Sequence, residues 1–350
     1  NAFVIVESVN PNNPVPPEIE VVDGAEMSFA GPLGVGWSAN SSGKFTQSGG
    51  SVSVTSGFMT LADSANSVGT AELSGGTLNV AKTTVVGRLG SGTLNVSGGT
   101  FTAGTDELGS FRIGDYLGGP GTMTLSGTGE VNAPNYTAVG GWGNGTLNIT
   151  GGTWNQAAGG IVVGDHPEGA GFTGRGDINQ SGGTVNADAV LLQQGTYNLN
   201  GGTLVTEAVA DTSSGATGVF NMNGGTLRAR VNQADFIQAD TVEIKSGGAI
   251  IDTADKEVSI NKGMSGSGGL TKKGSGMLKL VGVHTYTGST TVQEGTLRIE
   301  AANFTADATP SALDVVFTSA PADGQLAIFP GTLNGSPTVS FTGLAAGQTG

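Results

Sequence analysis

Apolar and polar positions alternate through most of this chain in one recurring phrase. A Gly and a small residue lead into an inward-type residue, a polar residue, a second inward-type residue and a polar residue, and the phrase closes on Gly-Gly-Thr. Clear copies begin at Gly92, Gly145, Gly195 and Gly218 and end at Thr100, Thr153, Thr203 and Thr226. Aligned, they give a first inward column of Phe45, Ala71, Leu94, Met123, Leu147, Ile178, Tyr197, Phe220 and Val242. Two residues on runs a second column of Gln47, Leu73, Val96, Leu125, Ile149, Gln180, Leu199, Met222 and Ile244. Between them stand Thr46, Glu72, Asn95, Thr124, Asn148, Asn179, Asn198, Asn221 and Glu243. A period of two marks strands buried on one face.

Steps down the first column are 26, 23, 29, 24, 31, 19, 23 and 22 residues, a mean near 25. Each step has room for two further short strands. One follows the Gly-Gly corner, as in Thr77-Leu78-Asn79-Val80 or Thr153-Trp154-Asn155. The other is a small apolar cluster ending in Gly, as in Val85-Val86-Gly87 or Ala138-Val139-Gly140. Three strands and three turns per repeat predict one coil of a parallel β-solenoid, with Gly at the corners for its access to positive φ. A coil cannot bury its inner face alone, so coils stack ~4.8 Å apart, and nine of them would span roughly 40 Å. The long steps place insertions at 104–120 and 165–175, expected as outer loops.

The style changes at Gly269-Leu270-Thr271-Lys272-Lys273-Gly274-Ser275-Gly276-Met277-Leu278-Lys279-Leu280, followed by Tyr286-Thr287-Gly288-Ser289-Thr290-Thr291-Val292-Gln293-Glu294-Gly295-Thr296-Leu297. Over about 35 residues this resembles the autotransporter-associated β-strand repeat. The preceding Gly-Gly-Thr units are similar to those found ahead of such repeats in large secreted bacterial surface proteins. The resemblance implies a right-handed β-helix exported to the cell surface, without enzyme activity. The expected fold is therefore all-β, a right-handed parallel β-solenoid of about 10–11 coils, with an extended N-terminal arm and a small C-terminal β cap. Four segments follow: residues 1–30 as an apolar strand and Pro-rich linker, 31–263 as the Gly-Gly-Thr solenoid, 264–300 as the autotransporter-associated repeat, and 301–350 as an antiparallel cap.

Composition narrows the partners. Gly occupies 63 of 350 positions, more than twice the usual ~7 %, which disfavours long helices. The net charge of −14 argues against nucleic acid and anionic lipid as partners. The absence of Cys excludes disulfides, thiol catalysis and thiolate metal sites. No apolar run is long enough to insert in a membrane as a helix. The chain starts at Asn1 with no positively charged leader, which reads as a mature or trimmed exported chain.

Candidate chemistry is sparse. General acid–base cleavage needs two convergent groups, whereas the outward column offers only Glu72 and Glu243 among Asn and Thr. The Asn read as stacked amide ladders. Asp165-His166-Pro167-Glu168 is a weak metal motif, and Asp106-Glu107 and Asp252/Asp255 are the candidates for structural Ca²⁺. No cofactor, metal or catalytic residue is assigned. Arg175-Gly176-Asp177 spells an integrin-type tripeptide, but Gly176 falls on the repeat's turn Gly. Trp37, Trp142 and Trp154 are candidates for stacking on sugars, with Trp154 expected in the core and Trp142 expected exposed.

Two non-enzymatic functions compete, with a polysaccharide-active enzyme a distant third. In the first, the chain is a subunit of an extracellular filament or surface layer. It would join head to tail, Phe3, Val4, Ile5 and Val6 adding a strand to a neighbouring copy. Val315, Phe317, Ile328 and Phe329 of the cap would be the acceptor. In the second, it is a passenger-type adhesin or spacer whose partner is a cell-surface polysaccharide.

Overall fold

A computed structural model describes residues 4–9, 15–106, 109–115, 118–164, 174–211, 217–281, 284–300, 312–317, 325–329 and 338–342. The chain divides into two compact units, Asn1–Tyr197 and Asn198–Gly350. Each is a parallel β-solenoid, and the described residues contain no helix.

In the N-terminal unit three faces repeat from coil to coil. The first face stacks Ser42–Gln47, Val68–Leu73, Ser91–Val96, Gly121–Leu125, Gly145–Ile149 and Gly176–Gln180 in parallel register. Its register is the aligned column of the sequence: Phe45, Ala71, Leu94, Met123, Leu147 and Ile178 pair in turn and are almost fully buried. The second face holds Ser51–Val54, Thr77–Val80, Thr100–Ala103, Glu130–Ala133 and Thr153–Gln156. The third holds the short strands Leu33–Val35, Met59–Leu61, Thr84–Val86, Phe111–Ile113, Thr137–Val139 and Ile161–Val163. Every fully buried Leu, Ile or Phe adds about 1.5–3 kcal/mol. Trp154 is fully buried and stacks on Phe111, with ring centroids 5.6 Å apart.

Two glycine positions in the repeat meet different demands. Gly152, second of a Gly-Gly pair, has φ +73 and turns the corner. Gly145, first of its strand, has no positive φ; a Cβ there would lie 2.1 Å from the Ile113 carbonyl oxygen. The third face runs directly against the start of the first, and only a hydrogen fits between. Polar residues in the inner columns close corners. Gln47 is fully buried, and its Nε2 donates to the carbonyls of Gly49 at 3.1 Å, Gly50 at 3.3 Å and Thr77 at 3.0 Å.

The solenoid starts earlier than the sequence reading placed it. Val4–Val6, Glu18–Val21 and Glu26–Phe29 form a first coil on Leu33–Val35, Ser42–Gln47 and Ser51–Val54. Val6, Val21 and Phe29 point inward and are buried, while Glu18, Glu20 and Glu26 face solvent. The insertion 104–120 contains the third-face strand Phe111–Ile113; residues 165–173 lie outside the described residues.

In the C-terminal unit, Thr203–Ala210, Thr226–Ala229, Ala249–Asp252, Leu270–Lys273 and Thr290–Val292 stack in parallel. Glu257–Ile260, Met277–Leu280 and Thr296–Glu300 form a second parallel set. The segment expected as an antiparallel cap prolongs both. Ala312–Phe317 pairs in parallel with Thr290–Val292 and with Thr338–Thr342, and Gln325–Phe329 with Thr296–Glu300.

Candidate functional surfaces

The outward columns carry ladders of amides. On the first face of the N-terminal unit Asn179 Nδ2 donates to Asn148 Oδ1 at 3.1 Å. On its second face Asn155 donates to Asn132 at 3.0 Å and Asn186 to Asn155 at 2.9 Å. In the C-terminal unit Asn221 donates to Asn198 at 2.8 Å and Asn223 to Asn200 at 3.0 Å. Asn155 uses both its donor and its acceptor along the stack, adding side-chain bonds parallel to the backbone ladder.

Several carboxylates on these columns are ion-paired. Lys44 bridges Glu18 at 3.3 Å and Glu72 at 3.1 Å from the coils on either side. Bonds from Thr46 and Lys44 hold the Glu18 carboxyl below its ordinary range. A general acid needs the opposite shift. Glu243 pairs with Lys245 at 2.6 Å.

Asp252 pairs with Arg228 at 3.4 Å and Asp255 with Lys256 at 2.8 Å. Asp252 and Asp255 border an open cleft of about 500 Å³ with Arg228, Lys273, Ser275 and Glu294. Cations interleave these carboxylates, which makes the cleft a poor Ca²⁺ site. Among the described residues no group of three or more His, Asp or Glu is placed to hold a metal. Asp106 is exposed. Glu107 and Asp165-His166-Pro167-Glu168 lie outside the described residues.

The Arg-Gly-Asp tripeptide belongs to the first face. Gly176 pairs in register with Gly145 and Asp177 with Thr146. The Arg175 and Asp177 side chains pair with each other at 3.5 Å, and Arg175 also donates to Thr196 Oγ1 at 2.9 Å. Trp37 and Trp142 are half-buried.

Of the residues proposed for assembly, Phe3 lies outside the described residues. Val4, Ile5 and Val6 pair with Leu33, Gly34 and Val35 of the same chain. Val6 is buried, while Ile5 is 43 % exposed. Val315 and Phe317 lie in Ala312–Phe317, and Ile328 and Phe329 in Gln325–Phe329; these strands have parallel partners within the chain.

Residues 270–299 match the passenger-associated-transport-repeat family. Over 262 residues, covering 71 % of this chain, the sequence is 29 % identical to the adhesin BmaC autotransporter of Brucella suis biovar 1 (strain 1330). The chain is autotransporter passenger-like. It spans only 7 % of that relative's length. No solved structure matches it.

The transport repeat of this passenger-like chain comprises Leu270–Lys273 and Met277–Leu280 of one coil and Thr290–Val292 and Thr296–Glu300 of the next. Alternation points Leu270 and Lys272 inward, and Lys272 is fully buried. Its ammonium donates to the carbonyls of Lys273 at 2.8 Å, Gly274 at 2.7 Å and Glu294 at 3.1 Å, tying its own corner to the next coil. Burial pushes its pKa down to about 8, against the opposing pull of Asp252 and Glu294. His284, also buried, accepts at Nδ1 from the Met264 N–H at 3.3 Å. Burial pushes its pKa down to about 4, so it is neutral at pH 7. Both side chains serve the fold. The sequence reading missed Lys272, although its place two residues after Leu270 marked it as inward.

Proposed function

We propose that this chain is a segment of a non-enzymatic, passenger-type adhesin, carried outside a bacterial cell, that engages polysaccharide on an opposing surface. The observation carrying the reading is the transport repeat at 270–299, on a solenoid similar over most of its length to an autotransporter adhesin. Two features of the chain support it. The outward columns of its first and second faces carry amide ladders and ion pairs with no convergent acid–base pair among the described residues. Its acidic balance keeps it from nucleic acid and anionic lipid. The head-to-tail filament has less support, because Val4–Val6 already has a strand partner in its own chain.

Display of residues 1–350 on a non-adherent bacterium tests the reading. Cells should gain attachment to polysaccharide-coated surfaces, and soluble chain should compete it away. Displayed chain that confers no attachment would overturn it.

A further inference from the structure

The third face of the N-terminal unit is dressed differently from the other two. Its outward positions run Ile5, Gly34, Thr60 and Val85 in register, then Ala138 and Val162 beyond Arg112, and all but Ile5 and Arg112 are buried. The matching columns on the first and second faces are Thr, Ser, Asn and charged residues. Two aromatic rings lie across its first coils. The six-membered ring of Trp37 sits on Gly34, so close that a Cβ there would be 2.5 Å from Trp37 Cε3. Phe58 stacks against Trp37, with centroids 5.9 Å apart and planes 22° from parallel. Phe58 is 37 % exposed, and Ile5 and Leu89 are among the exposed large apolar residues.

The Trp37 corner is held from below. The Glu7 carboxylate accepts from the Ser38 N–H at 2.6 Å and the Ser38 hydroxyl at 2.8 Å. A ring fixed in this way loses little freedom when a ligand arrives.

Polar groups stand beside the rings. The Asp63 N–H donates to the Gly36 carbonyl at 3.1 Å and the Arg88 N–H to the Ala62 carbonyl at 3.2 Å, which stacks Trp37, Asp63 and Arg88 on successive coils. Arg88 Nη1 meets Asp63 Oδ1 at 2.9 Å, with the Arg88 side chain 38 % exposed and the Asp63 side chain 10 %. A rigid, flat apolar face next to an internally neutralised donor–acceptor pair fits a pyranose. The C–H face of the sugar covers the rings and its hydroxyls reach the exposed Arg88 guanidinium. The chain's charge of −14 selects against anionic sugars.

We propose that Trp37 and Phe58 form a stacking platform for a neutral pyranose of a glycan, with Arg88, held in place by the buried Asp63, binding its hydroxyls. This rests on the adhesin reading and names its contact site. Saturation-transfer NMR on the full 350-residue chain tests it, with cello- and chito-oligosaccharides as neutral probes and oligogalacturonate as the anionic comparison. Saturation should pass from aromatic protons to the ring C–H protons of a neutral probe. Phe58→Ala should weaken binding about tenfold, and Phe58→Tyr should retain it. Circular dichroism checks that each variant is folded, and the unmodified chain gives a result even if Phe58→Ala does not fold. The proposal falls if the unmodified chain transfers no saturation to either neutral series, if it prefers oligogalacturonate, or if folded Phe58→Ala binds as well as the unmodified chain. Displayed cells that adhere while the purified chain shows no saturation would sink the platform and leave the adhesin reading standing. Saturation without cellular adhesion would do the reverse.

Discussion

Replacing Gly145 by Ala separates two reasons for a glycine in this repeat. Gly145 has an ordinary φ, so if only backbone conformation mattered Ala would stabilise the fold by about 0.4–1 kcal/mol through the unfolded state. The structure predicts the opposite sign. A Cβ at 145 would lie 2.1 Å from the Ile113 oxygen and 2.2 Å from the Gly140 nitrogen, against 3.4–4 Å for ordinary contact. Those two atoms are themselves hydrogen-bonded at 2.8 Å, so the methyl would be driven into a rung of the ladder. Overpacking against backbone costs about 1–3 kcal/mol, and the disturbed hydrogen bond about 1 more. The expected loss is therefore about 2–4 kcal/mol. Gly24 is the control: its φ is +77 and nothing lies within 4 Å of where a methyl would stand, so Ala there should cost only ~1 kcal/mol of left-handed strain. Urea unfolding of both variants gives the comparison, and hydrogen exchange over residues 111–150 should show the loss centred on the coils flanking Gly145. A Gly145→Ala chain as stable as the unmodified one, or more so, would refute the close approach of the third and first faces.

Further outcomes follow from the same geometry. Leu147→Asp places an unpaired carboxylate between Met123 and Ile178, should cost several kcal/mol, and should open the neighbouring coils in hydrogen exchange before the rest of the unit. Acidification should weaken the coils around the transport repeat. His284 binds a proton near 6.5 when unfolded but only near 4 when folded, so its contribution is present above pH 6.5 and is lost as pH falls towards 4. Thermal melts at pH 7 and 4.5 should differ by more for the unmodified chain than for His284→Gln; equal differences would refute a buried neutral imidazole. Lys272, lowered from 10.5 to about 8, has the same sign at higher pH, and stability should rise from pH 8 to 10.5 but not in Lys272→Met. Incubation with pectin, alginate or xylan should release no reducing ends or unsaturated products; release of either would revive the enzyme reading.

Much of this fold was legible in the alternation. The columns through Leu94 and Val96 returned as stacked, buried registers because a period of two, interrupted by Gly-Gly, has few other solutions. The amide ladder was legible for the same reason: Asn148 and Asn179 fall in one column, and parallel stacking then makes them neighbours. The first coil was harder to see. Glu18-Ile19-Glu20-Val21 alternates correctly, but nearby prolines suggested a linker, and an end coil is covered on one side only, leaving Ile19 half-buried. The role of Gly145 was misassigned because sequence distinguishes neither a positive φ from a close approach nor which backbone makes it. The third-face strands showed as short apolar clusters such as Val85-Val86-Gly87, but their outward dressing did not: strands as short as Leu33–Val35 carry no period, and what covers Gly34 depends on where the Trp37 corner turns.

Stacking of coils in register underlies both the fold and the surfaces it presents, and spin-label distances measure it directly. The chain has no Cys, so introduced pairs label cleanly. Glu20, Thr46, Glu72, Asn95, Thr124, Asn148 and Asn179 succeed one another on the first face, one per coil. With one label at Glu20 and the other at Thr124, Asn148 or Asn179, the distances should be about 19, 24 and 29 Å, rising by one strand spacing per coil. Distances that fail to rise in equal steps, or that place Asn179 no farther from Glu20 than Thr124, would contradict a stacked parallel solenoid.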